Sequence, residues 1–140
     1  MSAAASICAG CTPVESSVVV NEINTQVGGK IELAGTISST NAAVDLSGWT
    51  LRRADGGLAF AFTSGATLAP GQHLVLTRTT DQLFELGKSD TVILEDETGL
   101  LLDQVTYGSG DADVSFCRLP DAEGTPALCA RATFGEVNQP

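Results

Sequence analysis

Apolar and polar residues alternate in short runs along this chain, and turn residues separate the runs at close intervals, which predicts many short β-strands rather than helices. Val18 to Thr25 reads as a first strand, with Val19 and Ile23 alternating inward. Gly28-Gly29 breaks it, and Ile31 with Leu33 opens the next. In the third segment Val44 and Leu46 share one face while Trp49 and Leu51 share the other. Ser47-Gly48 is therefore predicted to form a bulge that turns Trp49, the only tryptophan, into the core. Asp55-Gly56-Gly57 is a hairpin signal between Leu51 and Leu58, and beyond it Leu58, Phe60 and Phe62 share a face that should pack near Trp49.

Pro70-Gly71 suits a tight turn, after which Leu74 and Leu76 alternate inward and His73 points the other way. Asp81 to Leu86, closed by Gly87, reads as one helical turn. Thr91 to Glu95 and Leu100 to Tyr107 form a second hairpin around Glu97-Thr98-Gly99, adding Val92 and Leu94 to the inward set. Residues 108–113 are a loop, Ser115 to Arg118 a short strand, and the remainder reads as irregular. The expected core is thus Leu46, Trp49, Leu51, Phe60, Phe62, Leu74, Leu76, Val92 and Leu94, and the expected fold class is an all-β sandwich.

A chain of 140 residues fits one domain and buries roughly 68% of its unfolded surface, so it stands without staples. Residues 1–16 are expected to be a flexible N-terminal segment and residues 17–140 the domain. No apolar run approaches the roughly 18 residues that a membrane span needs. Residues 1–11 lack the basic start of a signal peptide, and Ala9-Gly10-Cys11 is similar to the end of a lipobox except that Cys8 stands where Leu is expected. The four cysteines, Cys8, Cys11, Cys117 and Cys129, allow three disulfide pairings. Their even number favours disulfides and an oxidising compartment, with a four-thiolate zinc site as the rival.

A set of short pieces then occurs in one order: Asn21-Glu22-Ile23-Asn24, Ile31-Glu32-Leu33, Val44 to Leu51, Leu68-Ala69-Pro70-Gly71, Ser89-Asp90-Thr91-Val92 and Gly99 to Tyr107. Arg118-Leu119-Pro120-Asp121 and Phe134-Gly135-Glu136-Val137-Asn138 close it. The ordered set resembles the prokaryotic lamin-tail domain, the bacterial relative of the immunoglobulin-like domain at the end of nuclear lamins, over about residues 17 to 139. The resemblance implies an Ig-like sandwich that serves as an accessory module and not an enzyme. It also implies a disulfide between Cys117 and Cys129, which leaves Cys8 with Cys11. One segment departs from the family: relatives follow the Ile-Glu-Leu strand with an aromatic and Asn, whereas Ala34-Gly35-Thr36-Ile37 stands here.

Charge narrows the function further. The net charge is −10, and residues 81–140 carry twelve acids against three bases, or −9 of it. An acidic surface repels phosphate backbones, so the DNA binding of some animal lamin tails is not carried over, and no nucleic-acid partner is expected. Catalysis lacks its parts: His73 is the only histidine, and there is no nucleophile elbow, His-based metal motif or phosphate loop. Glu22 and Glu32 interrupt apolar strands and need buried partners, for which Arg118 is the candidate, giving a polar tie between first and last segments. Asp111 and Asp113, with Asp96 or Asp103, are weak candidates for Ca²⁺ ligands, without the spacing of an EF-hand. An isopeptide cross-link would need Lys30 or Lys88 buried beside Asn and an acid, and Lys30 near Glu22 and Asn24 is the arrangement that offers it.

The expected role is a non-catalytic extracellular or cell-surface module for protein–protein contact or architecture, needing no cofactor, with its protein partner and oligomeric state unspecified. The alternative is a module that binds glycan or calcium through its acidic loops. A glycan site wants exposed aromatics, and one Trp, one Tyr and five Phe, mostly at core-like positions, leave few.

Overall fold

The computed structural model describes residues 17–26, 29–36, 42–54, 56 and 59–139. Its strands are β1 (Val18–Asn24), β2 (Lys30–Gly35), β3 (Val44–Asp45), β4 (Thr50–Arg53), β5 (Phe60–Ala61), β6 (Thr67–Leu68) and β7 (His73–Thr77), then β8 (Asp90–Glu95), β9 (Leu101–Tyr107), β10 (Phe116–Arg118) and β11 (Pro126–Leu128). A single helical turn, α1 (Arg78–Asp81), lies between β7 and β8. Five strands form one sheet in the order β11-β10-β1-β2-β7, and four form another in the order β5-β4-β8-β9, with β3 and β6 as a separate pair. Every pairing is antiparallel.

One apolar cluster fills the space between the sheets. Ile23, Ile31 and Leu33 of the first meet Leu51, Val92 and Leu94 of the second, all fully buried. All nine expected core residues belong to this cluster, with Phe60 and Leu74 at its partly buried margin. Leu58 lies outside the described residues, as do Asp55 and Gly57 of the hairpin signal.

The parity change before Trp49 has a definite geometry. Trp49 N–H donates to Leu46 C=O at 2.9 Å, closing a turn whose third residue, Gly48, has φ +80°. Gly48 N–H then donates to Phe62 C=O and Phe62 N–H to Trp49 C=O, so that Gly48 and Trp49 together oppose Phe62. This is a glycine bulge, and the extra residue is what puts Trp49 on the core face beside Phe62. Phe62 in turn packs edge-to-face on Phe60 at 5.1 Å.

A second bulge corrects the reading of β1. The register with β2 shifts between Val20 and Glu22, leaving Asn21 as the extra residue. Val18, Val20 and Ile23 therefore face the core, and Val19, expected inward by simple alternation, faces out opposite Ala34. The helical turn also lies earlier than Asp81 to Leu86: it occupies Arg78–Asp81, where the Asp81 carboxylate accepts the Thr77 N–H at 2.8 Å, and it ends at Gln82 with φ 60°. Leu83 and Leu86 beyond it are buried by packing without being helical.

The departure at Ala34-Gly35 has a steric reason. A Cβ on Gly35 would come within 2.2 Å of the Ala69 carbonyl oxygen, because the Pro70-Gly71 turn bonds Gly71 N–H to Gly35 C=O. No larger residue fits under that turn.

Candidate functional site

The chemistry-bearing residues gather on the face of the five-stranded sheet that points away from the core. The bulge at Asn21 makes Glu22 and Glu32 direct cross-strand neighbours, and both are fully buried. Two like charges so placed are unfavourable unless donors surround them. The last segment of the chain supplies most of those donors, and Asn21 and Ser115 supply the others. Glu22 accepts from Ser115 Oγ at 2.7 Å, Thr133 N–H at 2.8 Å and Thr133 Oγ1 at 3.2 Å. Glu32 accepts from Asn21 Nδ2 at 2.9 Å and Gly135 N–H at 2.6 Å.

Arg118 does not join the two glutamates, contrary to the expected polar tie. Its Nη2 lies 3.0 Å from both carboxylate oxygens of Asp103, while Nε donates to Val20 C=O and Nη1 to Gly124 C=O. Asp103 also accepts the Val20 N–H at 2.7 Å. The bulge explains the change: it turns Val20's peptide groups toward Arg118 and Asp103, which link β10 to β9 across β1. The tie between first and last segments exists, but the two glutamates take their donors from backbone N–H groups, hydroxyls and an amide, and the guanidinium reaches the first strand at Val20 C=O instead.

Two further groups complete this layer. His73 Nε2 lies 2.9 Å from Asp121 Oδ2, and Asp121 Oδ1 accepts from Asn21 Nδ2 and Asn138 N–H. Asn138 Nδ2 donates to the carbonyls of Asn21 and Arg118. Burial pushes Glu32 up to about 7, offset in part by the hydrogen bonds from Gly135 and Asn21. For Asp121 burial acts upward too, but hydrogen bonds from Asn21, Asn138 and His73 outweigh it and hold the carboxyl below its usual range.

These opposite shifts set a pH window. Glu32 is raised when folded, so its contribution to stability is complete below the ordinary carboxylate range and is lost as pH rises through about 7. Asp121 is lowered, so its contribution is present above that range and is lost as pH falls through its depressed value. The chain is expected to melt higher at about pH 5.5 than at about pH 8.5, and Glu32→Gln should flatten that slope. A melting temperature that rises from pH 5.5 to 8.5 would contradict the burial of Glu32.

Cys117 and Cys129 form a disulfide with Cα atoms 6.0 Å apart, closing the β10–β11 hairpin. Its removal by Cys117→Ser with Cys129→Ser is expected to cost about 2–4 kcal/mol. Identical melting of oxidised and reduced protein would show that the bridge adds nothing. Cys8 and Cys11 lie outside the described residues.

The remaining candidates have structural partners. Asp111 Oδ2 accepts the Gly108 N–H, and Asp113 Oδ1 accepts from Gln26 Nε2 and Thr25 Oγ1. Among the described residues no three His, Cys, Asp or Glu side chains come together as a metal site. Lys30 Nζ sits 5.6 Å from the Phe134 ring centroid, another contact that holds the last segment to the sheet.

Two antiparallel sheets packed around a buried tryptophan define an Ig-like sandwich domain. The family model of the Lamin Tail Domain matches residues 12–109, and the chain belongs to that family of Ig-like, non-enzymatic domains. The match ends before β10, so Arg118 to Asp121, the disulfide and the closing Phe134 to Asn138 segment lie beyond it. No curated protein matches the chain.

Proposed function

We propose that residues 17–140 form a non-catalytic, exported bacterial lamin-tail module that recognises another protein or serves an architectural role beside a larger secreted or surface protein. The carrying observation is how the titratable groups of the buried layer are used. Glu22, Glu32, His73, Asp121, Arg118 and Asp103 are all bonded within the chain, and Glu22, Glu32 and Asp121 hold its last segment in place. A site that must turn over or coordinate a ligand keeps some of its polar groups available. The disulfide supports export, since such bonds persist in oxidising compartments. Among the described residues no helix is long and apolar enough to cross a membrane.

The test is a pair of measurements on the intact chain: a DNA titration at low salt and thermal melts with Ca²⁺ against chelator. The module is expected to show neither binding nor a shift. Micromolar DNA affinity would overturn the reading, and a melting shift beyond roughly 5 °C with Ca²⁺ would replace it with the calcium-binding one.

A further inference from the structure

We propose that Ala130 to Gln139 form a latch over the outer face of the five-stranded sheet, closed while the Glu22–Glu32 pair retains a proton and loosened when both carboxyls are ionised. The sandwich beneath stays folded when the latch opens. Apolar packing contributes little to holding this segment. None of its residues enters the cluster between the sheets, Val137 is 54% exposed, and Asn138 alone among them is buried. A segment with so little buried apolar surface opens at a lower free energy than the whole domain unfolds. The disulfide pins Cys129 to Cys117, so the opening pivots just beyond it.

The contacts that close the latch converge on carboxylates. Thr133 N–H donates to Glu22 at 2.8 Å, Gly135 N–H to Glu32 at 2.6 Å and Asn138 N–H to Asp121 at 2.8 Å. Thr133 Oγ1 lies 3.1 Å from Asn138 Oδ1, which ties the first of these contacts to the last. Beneath them Glu22 and Glu32 stand opposite each other on β1 and β2, both fully buried. Two carboxylates so placed repel each other, and one proton shared by the pair removes the repulsion.

Little positive charge reaches the pair. On β7 the cross-strand neighbour of Glu32 is Val75, and His73, the titratable residue of that strand, has its Nε2 turned to Asp121. Arg118 of β10 is turned to Asp103, and Lys30 of β2 sits over the Phe134 ring. Arg131 and Glu136, the charged residues of the segment, are exposed. Burial therefore dominates and pushes Glu32 up to about 7, with Glu22 acting the same way and Gly135, Asn21 and His73 against it. Lifting the segment admits water and returns Glu32 toward the ordinary carboxylate range. The closed form then binds the extra proton, so closure weakens as pH rises from that range to about 7 and levels off above it.

Amide hydrogen exchange on the intact, oxidised chain tests this at about pH 5 and about pH 7.5, after correction for the intrinsic pH dependence of exchange. At both values Thr133, Gly135 and Asn138 should be at least about tenfold less protected than Val92 and Leu94 of β8, a strand paired on both sides. Their protection should also fall by about tenfold or more between the two values, and Glu32→Gln should abolish that fall. Protection equal to that of β8, unchanged with pH or rising with pH would overturn the proposal. Carbon-13 NMR of the Glu32 carboxyl in the unaltered chain decides the matter even where the variant does not fold. It should titrate near the pH at which the loss of protection levels off, and titration in the ordinary carboxylate range would equally overturn the latch.

Discussion

Trp49→Ala is expected to destabilise the domain by about 3–5 kcal/mol, lowering its melting temperature by roughly 10–20 °C. Trp49 is 8% exposed and sits on the core face only because Gly48, with φ +80°, starts the bulge opposite Phe62. Truncation would leave a cavity bordered by that bulge, whose hydrogen bonds to Phe62 limit how far the backbone can collapse into it. Gly48→Ala should reproduce part of the loss without touching the indole. The positive φ disfavours any side chain there, and a Cβ would press on Glu97 Cβ at 3.0 Å. Equilibrium denaturation of both variants, with native tryptophan fluorescence of the parent, checks this. Water-like emission from the folded chain, or unchanged melting of Trp49→Ala, would sink the placement.

The legibility of this fold follows from where local pattern decides structure. Alternation and turn residues suffice for β9, whose buried positions follow the pleat, and they also locate β2 and β8, although five successive residues of each are buried; the clash of parity around Ser47-Gly48 was itself the signal of a bulge. The bulge at Asn21 left no such mark, because Val18-Val19-Val20 is apolar at every position and hides which residue slips. The helical turn was misplaced since Arg78-Thr79-Thr80-Asp81 has weak helix propensity, and an Asp81 bond to Thr77 N–H sets it. β6 and β11 went unseen for a related reason. Each is only two or three residues long, and Pro126 marks β11 as a poor strand unless it lies at an edge.

The site was half visible. Glu22 and Glu32 stood out as acids within apolar strands, but apart from Asn21 their donors are 93 to 111 residues away at Ser115, Thr133 and Gly135, two of these being backbone N–H groups. Nothing in composition marks a backbone amide as a partner. The pair His73–Asp121 and the hub residues Asn21 and Asn138 were missed likewise, although all but His73 fall in the ordered pieces that carry the family resemblance.

Arg118→Ala is the second large effect, expected to cost about 3–5 kcal/mol at neutral pH. The pair it breaks is buried, with side chains 13% and 9% exposed, and removal of the guanidinium leaves the Asp103 carboxylate without its cation. Burial already raises Asp103 above the usual carboxylate range, and Arg118 is the chief influence holding it down. Without Arg118 the folded-state value must rise further, so a neutral Asp103 becomes the cheaper form. The sign follows from linkage. A carboxyl raised in the folded state contributes fully below its unfolded value and loses that contribution as pH rises through the folded one. The gap between variant and parent should therefore be widest near neutral pH and narrow as the solution is acidified, while Val20 N–H keeps its bond to Asp103. Arg118→Ala combined with Asp103→Asn removes the stranded charge, and should recover part of the loss at neutral pH and flatten its pH dependence. A cost independent of pH, or a double variant no more stable than Arg118→Ala, would mean that Arg118 acts through its bonds to Val20 and Gly124 alone.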